Sequence, residues 1–182
     1  NRSVIMALFR RYLFSLLCLF AIPAGVSVAQ IAPPVSATGH ITAQVITTLA
    51  AVETSQMNFG KFSPGPQGGE LILTPDNSVL VMGSVWKGSG THNAASFYVT
   101  GDPGVAYTVT LPSEPVMITH MGTSRTMTVE DWISVPAPNP GAGLLENGAQ
   151  TVYVGATLKV GTLADNPVGI YTGTYTITFD FN

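Results

Sequence analysis

Cysteine is all but missing from this sequence: Cys18 is the only one in 182 residues. A lone thiol closes no intrachain disulfide and gives no cysteine-rich metal site. Charge is scarce as well, with seven Lys and Arg and ten Asp and Glu for a formal net charge of −3. Three of the basic residues, Arg2, Arg10 and Arg11, stand at the very start. From residue 30 onward only Lys61, Lys87, Arg125 and Lys159 face all ten acids, a net charge of −6. Nucleic-acid binding draws on clustered positive charge that displaces counterions, and this chain supplies none. Beyond residue 30 there is also no long segment of helical period, which argues against helical folds.

What the N-terminus does contain is an export signal. Arg10 and Arg11 precede an apolar run, Tyr12–Ile22, followed by Pro23, Ala24, Gly25, Ser27 and Ala29. A basic start, a short apolar stretch and small residues at the cut are the features of a cleaved signal peptide. The run is too short to cross a bilayer, which takes about 20 apolar residues in a helix. Met6 reads as the translation start, residues 1–29 as the signal, and residues 30–38, with Pro33 and Pro34, as an extended leader. Residues 39–182 are then a single domain, exported to the periplasm, the cell surface or the exterior, with no membrane span after cleavage. A chain of that size buries roughly 68–70% of its unfolded surface, enough for one core without cross-links.

Thr, Val, Gly and Pro dominate the remainder, a composition of strands and turns. His40–Leu49 alternates Ile41, Ala43 and Val45 against Thr42, Gln44 and Ile46, the pattern of a first strand. Met57 and Phe59 share one face of a short strand that the breaker Ser63-Pro64-Gly65-Pro66 should end. Glu70–Thr74 and Ser78–Gly83 read as a hairpin around Pro75-Asp76-Asn77. Phe97 and Val99, then Val105, Tyr107, Val109 and Leu111, mark strands on either side of the turn Gly101–Gly104. Val116–His120, Thr126–Trp132 and Val152–Val160 follow, with a loop from Pro136 to about Gln150. Strands at this spacing predict an all-β fold, an immunoglobulin-like sandwich of antiparallel strands.

The longest alternation closes the chain. Tyr171, Gly173, Tyr175, Ile177, Phe179 and Phe181 take one face, and Thr172, Thr174, Thr176, Thr178 and Asp180 the other. Period-two geometry predicts a single strand with every aromatic in one core. This ending resembles that of chaperone–usher pilus subunits, which finish in alternating apolar residues with an aromatic penultimate residue and a glycine fourteen positions from the end. Phe181 and Gly169 occupy those two places. Met57-Asn58-Phe59-Gly60 is similar to a strand of pilins and of spore-coat-U-like secreted domains. Together with Ala95-Ser96-Phe97, Gly104–Thr108 and Gly169–Tyr175, it resembles an uncharacterised family of bacterial secreted, pilin-like domains. The resemblance implies a pilin-like sandwich whose closing segment, Gly169 to Phe181, is handled by an assembly chaperone or by another subunit. It also implies an N-terminal donor segment. Ile41, Ala43 and Val45 are the candidates, although they serve equally well as the domain's own first strand.

Chemistry is hard to find. His40, His92 and His120 are isolated, so no metal is expected. Ser89 has Lys87 and Thr91 where a nucleophile elbow requires glycines. Glu130 and Asp131, as strand neighbours, should point to opposite faces. No cofactor motif appears and no enzymatic activity is expected. Trp86 and Trp132, with Tyr98 and Tyr153, are the ligand-binding candidates, since aromatic side chains suit sugar rings and protein contacts. The sequence therefore points to a secreted or surface structural or adhesive protein, self-assembling or chaperone-held through β-strand addition. The alternative is a monomeric extracellular module that binds a carbohydrate or a protein.

Overall fold

The computed structural model describes residues 34–45 and 48–181. The signal and residues 30–33 of the leader expected from the sequence lie outside them. Residues 1–43 and 44–182 form separate units. In the first, described residues 34–43 are exposed and carry no helix or strand. The first strand expected from His40 is therefore not formed at its start: residues 40–45 pair with nothing described, and strand β1 runs over Ala50–Ser55 instead. Alternation alone makes no strand, because a ladder needs a partner for its backbone groups.

The second unit is all-β. Its strands are β1, β2 (Phe62–Leu73), β3 (Val79–Lys87), β4 (Ala95–Thr100), β5 (Ala106–Thr110), β6 (Val116–His120), β7 (Thr126–Val135), β8 (Gly143–Leu144), β9 (Ala149–Val160), β10 (Tyr171–Thr172) and β11 (Thr178–Phe181). All pairings are antiparallel. A single 3-10 turn, Glu146–Gly148, is the only helical element among the described residues. No helix there is long and apolar enough to cross a membrane.

Strand β9 organises the larger sheet. Val152, Val154, Ala156, Leu158 and Val160 turn inward and are buried, while Tyr153 and Lys159 turn outward. One edge of β9 pairs first with β4, Val154 opposite Ala95, and then with β2, Leu158 opposite Leu71. The other edge pairs with β7, which continues to β6 and β10. A smaller sheet, in the order β11-β5-β8, completes the fold. From β5, Tyr107 and Val109 join Ala95, Val99, Leu145, Val152 and Val154 in one core cluster. A second cluster gathers Leu71, Val85, Met127, Val129 and Leu158. Met57 and Trp132 pack against both.

The hairpin expected at Pro75–Asn77 is present. Asn77 takes the left-handed conformation at φ 67°, and Thr74 and Ser78 donate hydroxyl bonds to the Asp76 carboxylate. The breaker at Ser63–Pro66 does not end a strand. Strand β2 passes through it because Pro64 pairs with Val85 and Gly68 with Ser84, so the residues between are accommodated as a bulge. Met57 and Phe59 do share a half-buried face, but the only bridge there is Asn58 to Asn93.

Tyr107 is fully buried, and its hydroxyl donates to Gln150 Oε1 at 2.7 Å. Burial pushes its pKa up to about 12 from 10.0. The unfolded chain therefore loses this proton first as pH rises. Stability from the protonated phenol is complete below about pH 10 and is lost towards pH 12. Urea midpoints measured across that window should fall more steeply for the native protein than for Tyr107→Phe. Equal slopes would contradict this assignment.

Candidate strand-acceptor edge

The closing run is not one strand. Tyr171 and Thr172 (β10) pair with His120 and Thr119 in the larger sheet, whereas Thr178–Phe181 (β11) pair with Thr110–Tyr107 in the smaller one. Residues 173–177 pair with no described strand. The segment crosses between sheets, as strands at sandwich corners do. The expected alternation survives the crossing, since Tyr171, Tyr175, Ile177 and Phe179 are half-buried between exposed neighbours. They do not share one core: Tyr171 packs on the Leu158 cluster, and Tyr175, Ile177 and Phe179 pack on the Val152 cluster. Phe181, at the edge, is exposed.

Both glycines of this segment sit where side chains are excluded. A Cβ on Gly169 would stand 1.9 Å from His120 Nε2, and one on Gly173 would stand 2.9 Å from both Ile118 Cγ2 and the Met117 carbonyl oxygen. The His120 ring explains the first approach. Its Nε2 donates to the Val168 carbonyl at 3.1 Å, its Nδ1 accepts from Gly122 N–H at 2.9 Å, and Tyr171 meets it edge-on at 5.0 Å. Tyr171 itself donates to the Pro167 carbonyl at 2.9 Å. The near end of the crossing is thus clamped to β6.

The far end is clamped by rings. Tyr175 stacks at 4.8 Å on Trp132 and meets Phe97 edge-on at 6.4 Å, while Phe179 lies 5.9 Å from Phe97 and 6.2 Å from Tyr107. Two polar atoms are stranded here: the Trp132 Nε1 and the Tyr175 hydroxyl are buried with no hydrogen-bond partner. Burial first, and then the negative charge of Glu53, push the Tyr175 pKa above its ordinary range. Strand β11 pairs with β5 alone among the described strands, which leaves its outer edge free.

Residues 49–181 match the model of a domain of unknown function, DUF4402. The chain belongs to the DUF4402 family. No curated protein and no solved structure matches it. The DUF4402 match begins just before β1 and ends with β11, so both stretches of the closing segment fall within it.

The other candidates fall apart in space. Trp132 is half-buried beneath the closing segment, whereas Trp86 is exposed on β3, and the two share no ring contact. Tyr98 and Tyr153 are exposed on the outer face of the large sheet. Glu130 and Asp131 do not point apart as expected. A bulge between Glu130 and Ile133, with Asp131 at φ 51°, brings both carboxylates to Lys159 Nζ, at 3.2 and 3.8 Å. Lys159 is held protonated first by its 2.6 Å bond to Glu70 and further by Glu130. That bulge left no periodicity signal, but the adjacent acids and a lysine on the neighbouring strand were visible. His92 Nδ1 is buried without a partner, and no cluster of three or more potential metal-binding side chains occurs among the described residues. Ile41, Ala43 and Val45 lie in the exposed stretch before β1.

A buried hydroxyl without a partner costs about 1–3 kcal/mol. Tyr175→Phe keeps the ring stacking and removes that cost, so it should raise the melting temperature of the DUF4402 domain. A fall in melting temperature would show that the hydroxyl is bonded in solution.

Proposed function

We propose that this chain is an exported structural or adhesive protein, pilin-like in its assembly, that joins to its neighbours or to a periplasmic chaperone by β-strand addition at the closing segment. The observation that carries the reading is the unpaired stretch 173–177, continuous with the free edge of β11. Backbone groups there have no ladder partner among the described residues, while Tyr175 and Ile177 already contribute side chains to the core. An added strand would supply the missing hydrogen bonds without displacing the packing, which is how strand addition gains affinity. The donor candidates fit the same picture: Ile41 and Val45 are 98% and 97% exposed, and residues 40–45 form no strand of their own.

A monomeric binding module is the second reading, favoured by the exposed Tyr98 and Tyr153. They occupy diagonal positions across β4 and β9, because Tyr98 pairs with Thr151 and Ser96 with Tyr153. Stacking on a sugar ring would use that pair.

The exported protein should form multimers that survive cold detergent and dissociate on heating, or should depend on a co-expressed chaperone for its yield. Ile41→Asp with Val45→Asp should abolish the multimers and leave the domain folded. A native protein that stays monomeric without a chaperone, and is retained by a glycan surface, would replace the assembly reading with the second one.

A further inference from the structure

A different edge of the molecule carries an independent conclusion. Strand β3 pairs with β2 and with no other described strand, so it ends one branch of the large sheet. Exposed edges present unpaired backbone groups, and proteins blunt them with charge, proline or a covering element. From Val79 to Trp86 this edge has neither charge nor proline. Leu80 and Met82 face outward and are 57% and 55% exposed. Val81 pairs with buried Leu71 on the opposite face, yet is still 37% exposed. The edge is therefore open above and below. Gly83, at φ 77°, is the one device that bends the strand, and it leaves Val79–Met82 as the regular run.

Charge decides which partner fits. Two copies of an acidic chain repel wherever their carboxylates meet, and the nearest acid on the neighbouring strand, Glu70, is already paired to Lys159 at 2.6 Å. Strand β3 is thus a place where like copies meet without like-charge repulsion and without stripping water from an ion. We propose that β3 pairs antiparallel with β3 of a second copy, about a two-fold axis normal to the sheet. Such an axis keeps outward side chains outward, so residues of the same face must oppose one another. Centring it on Val81 sets Val81 against its own mate and Leu80 against Met82 twice, which covers the apolar residues of both faces. The two sheets then continue as one. This contact is separate from the closing segment and does not depend on the strand-addition reading.

Sedimentation equilibrium of the exported protein, with strand addition blocked by Ile41→Asp and Val45→Asp, should show a saturable monomer–dimer equilibrium. Leu80→Lys, an outward change that leaves the core alone, should weaken the dimer by about tenfold or more, since it sets charge into the new pairing. Val81→Lys should do the same, and Tyr153→Lys should not. In a Cys18→Ser background, Val81→Cys should give an oxidised dimer, because opposed Cβ atoms lie roughly 4.5–5.5 Å apart, and Ile72→Cys should give none. Ile41→Asp with Val45→Asp should leave this dimer intact, which separates it from strand addition. A monomer at all concentrations, a dimer indifferent to Leu80→Lys, or open-ended growth in place of a dimer would each overturn the proposal. So would a monomer whose β3 edge is protected only by a protein of different sequence.

Discussion

Strand β9 is hydrogen-bonded along both edges, and its inward row of Val152, Val154, Ala156, Leu158 and Val160 is the surface on which the rest of the fold assembles. Because β4 and β2 share one edge of it, the sheet carries two packing zones along a single strand. The upper zone is covered by β5 and the closing segment; in the lower zone the inward side chains of β2 and β7, neighbours of β9 in the same sheet, pack with Phe59, Phe62 and Tyr171. A fully paired central strand has no freedom to slip, since a one-residue shift would turn five buried side chains to water. The rigidity of β9 fixes where the chain must finish.

The closing segment has to serve both zones. Clamped to β6 through His120 and Tyr171, it leaves the large sheet at Gly173, where the backbone passes too close to Ile118 for a side chain. It rejoins order at Thr178 beside β5. Between those points it packs without pairing. Half-buried side chains on an unpaired backbone set it apart from an ordinary loop, whose backbone groups face water, and are the feature the proposed strand addition would use. The same reasoning separates it from β3, where the ladder on one side is complete and the side chains, not the backbone alone, are exposed.

Much of this was legible in the sequence, for identifiable reasons. Strands β5 and β6 alternate cleanly because one face of each is more buried than the other, β9 keeps apolar residues at every second position although Val154 to Leu158 are buried on both faces, and the β2–β3 hairpin announces itself through Pro75-Asp76-Asn77. Other parts gave no signal. Residues Ala50–Ser55 of β1 are almost wholly exposed, so no hydrophobic period marks them. The passage of β2 through Pro64 and Gly65 depends on a bulge opposite Ser84, a tertiary feature. The closing alternation predicts one strand with one core because period two reports which face a residue takes, not which sheet receives it. Bulging at Asp131 likewise reversed the expectation for two neighbouring acids. Tyr171, Tyr175 and Phe179 pack as the alternation predicts and Phe181 does not, and the break between them belongs to the arrangement of the two sheets.

Amide hydrogen exchange on the isolated protein tests the central claim most directly. The amides of residues 173–177 should exchange fast, although Tyr175 and Ile177 are packed, while those of Val152 to Leu158 exchange on the timescale of global unfolding. Protection of 173–177 equal to that of β9 would mean that the segment is already paired within its own molecule, and no acceptor edge would remain.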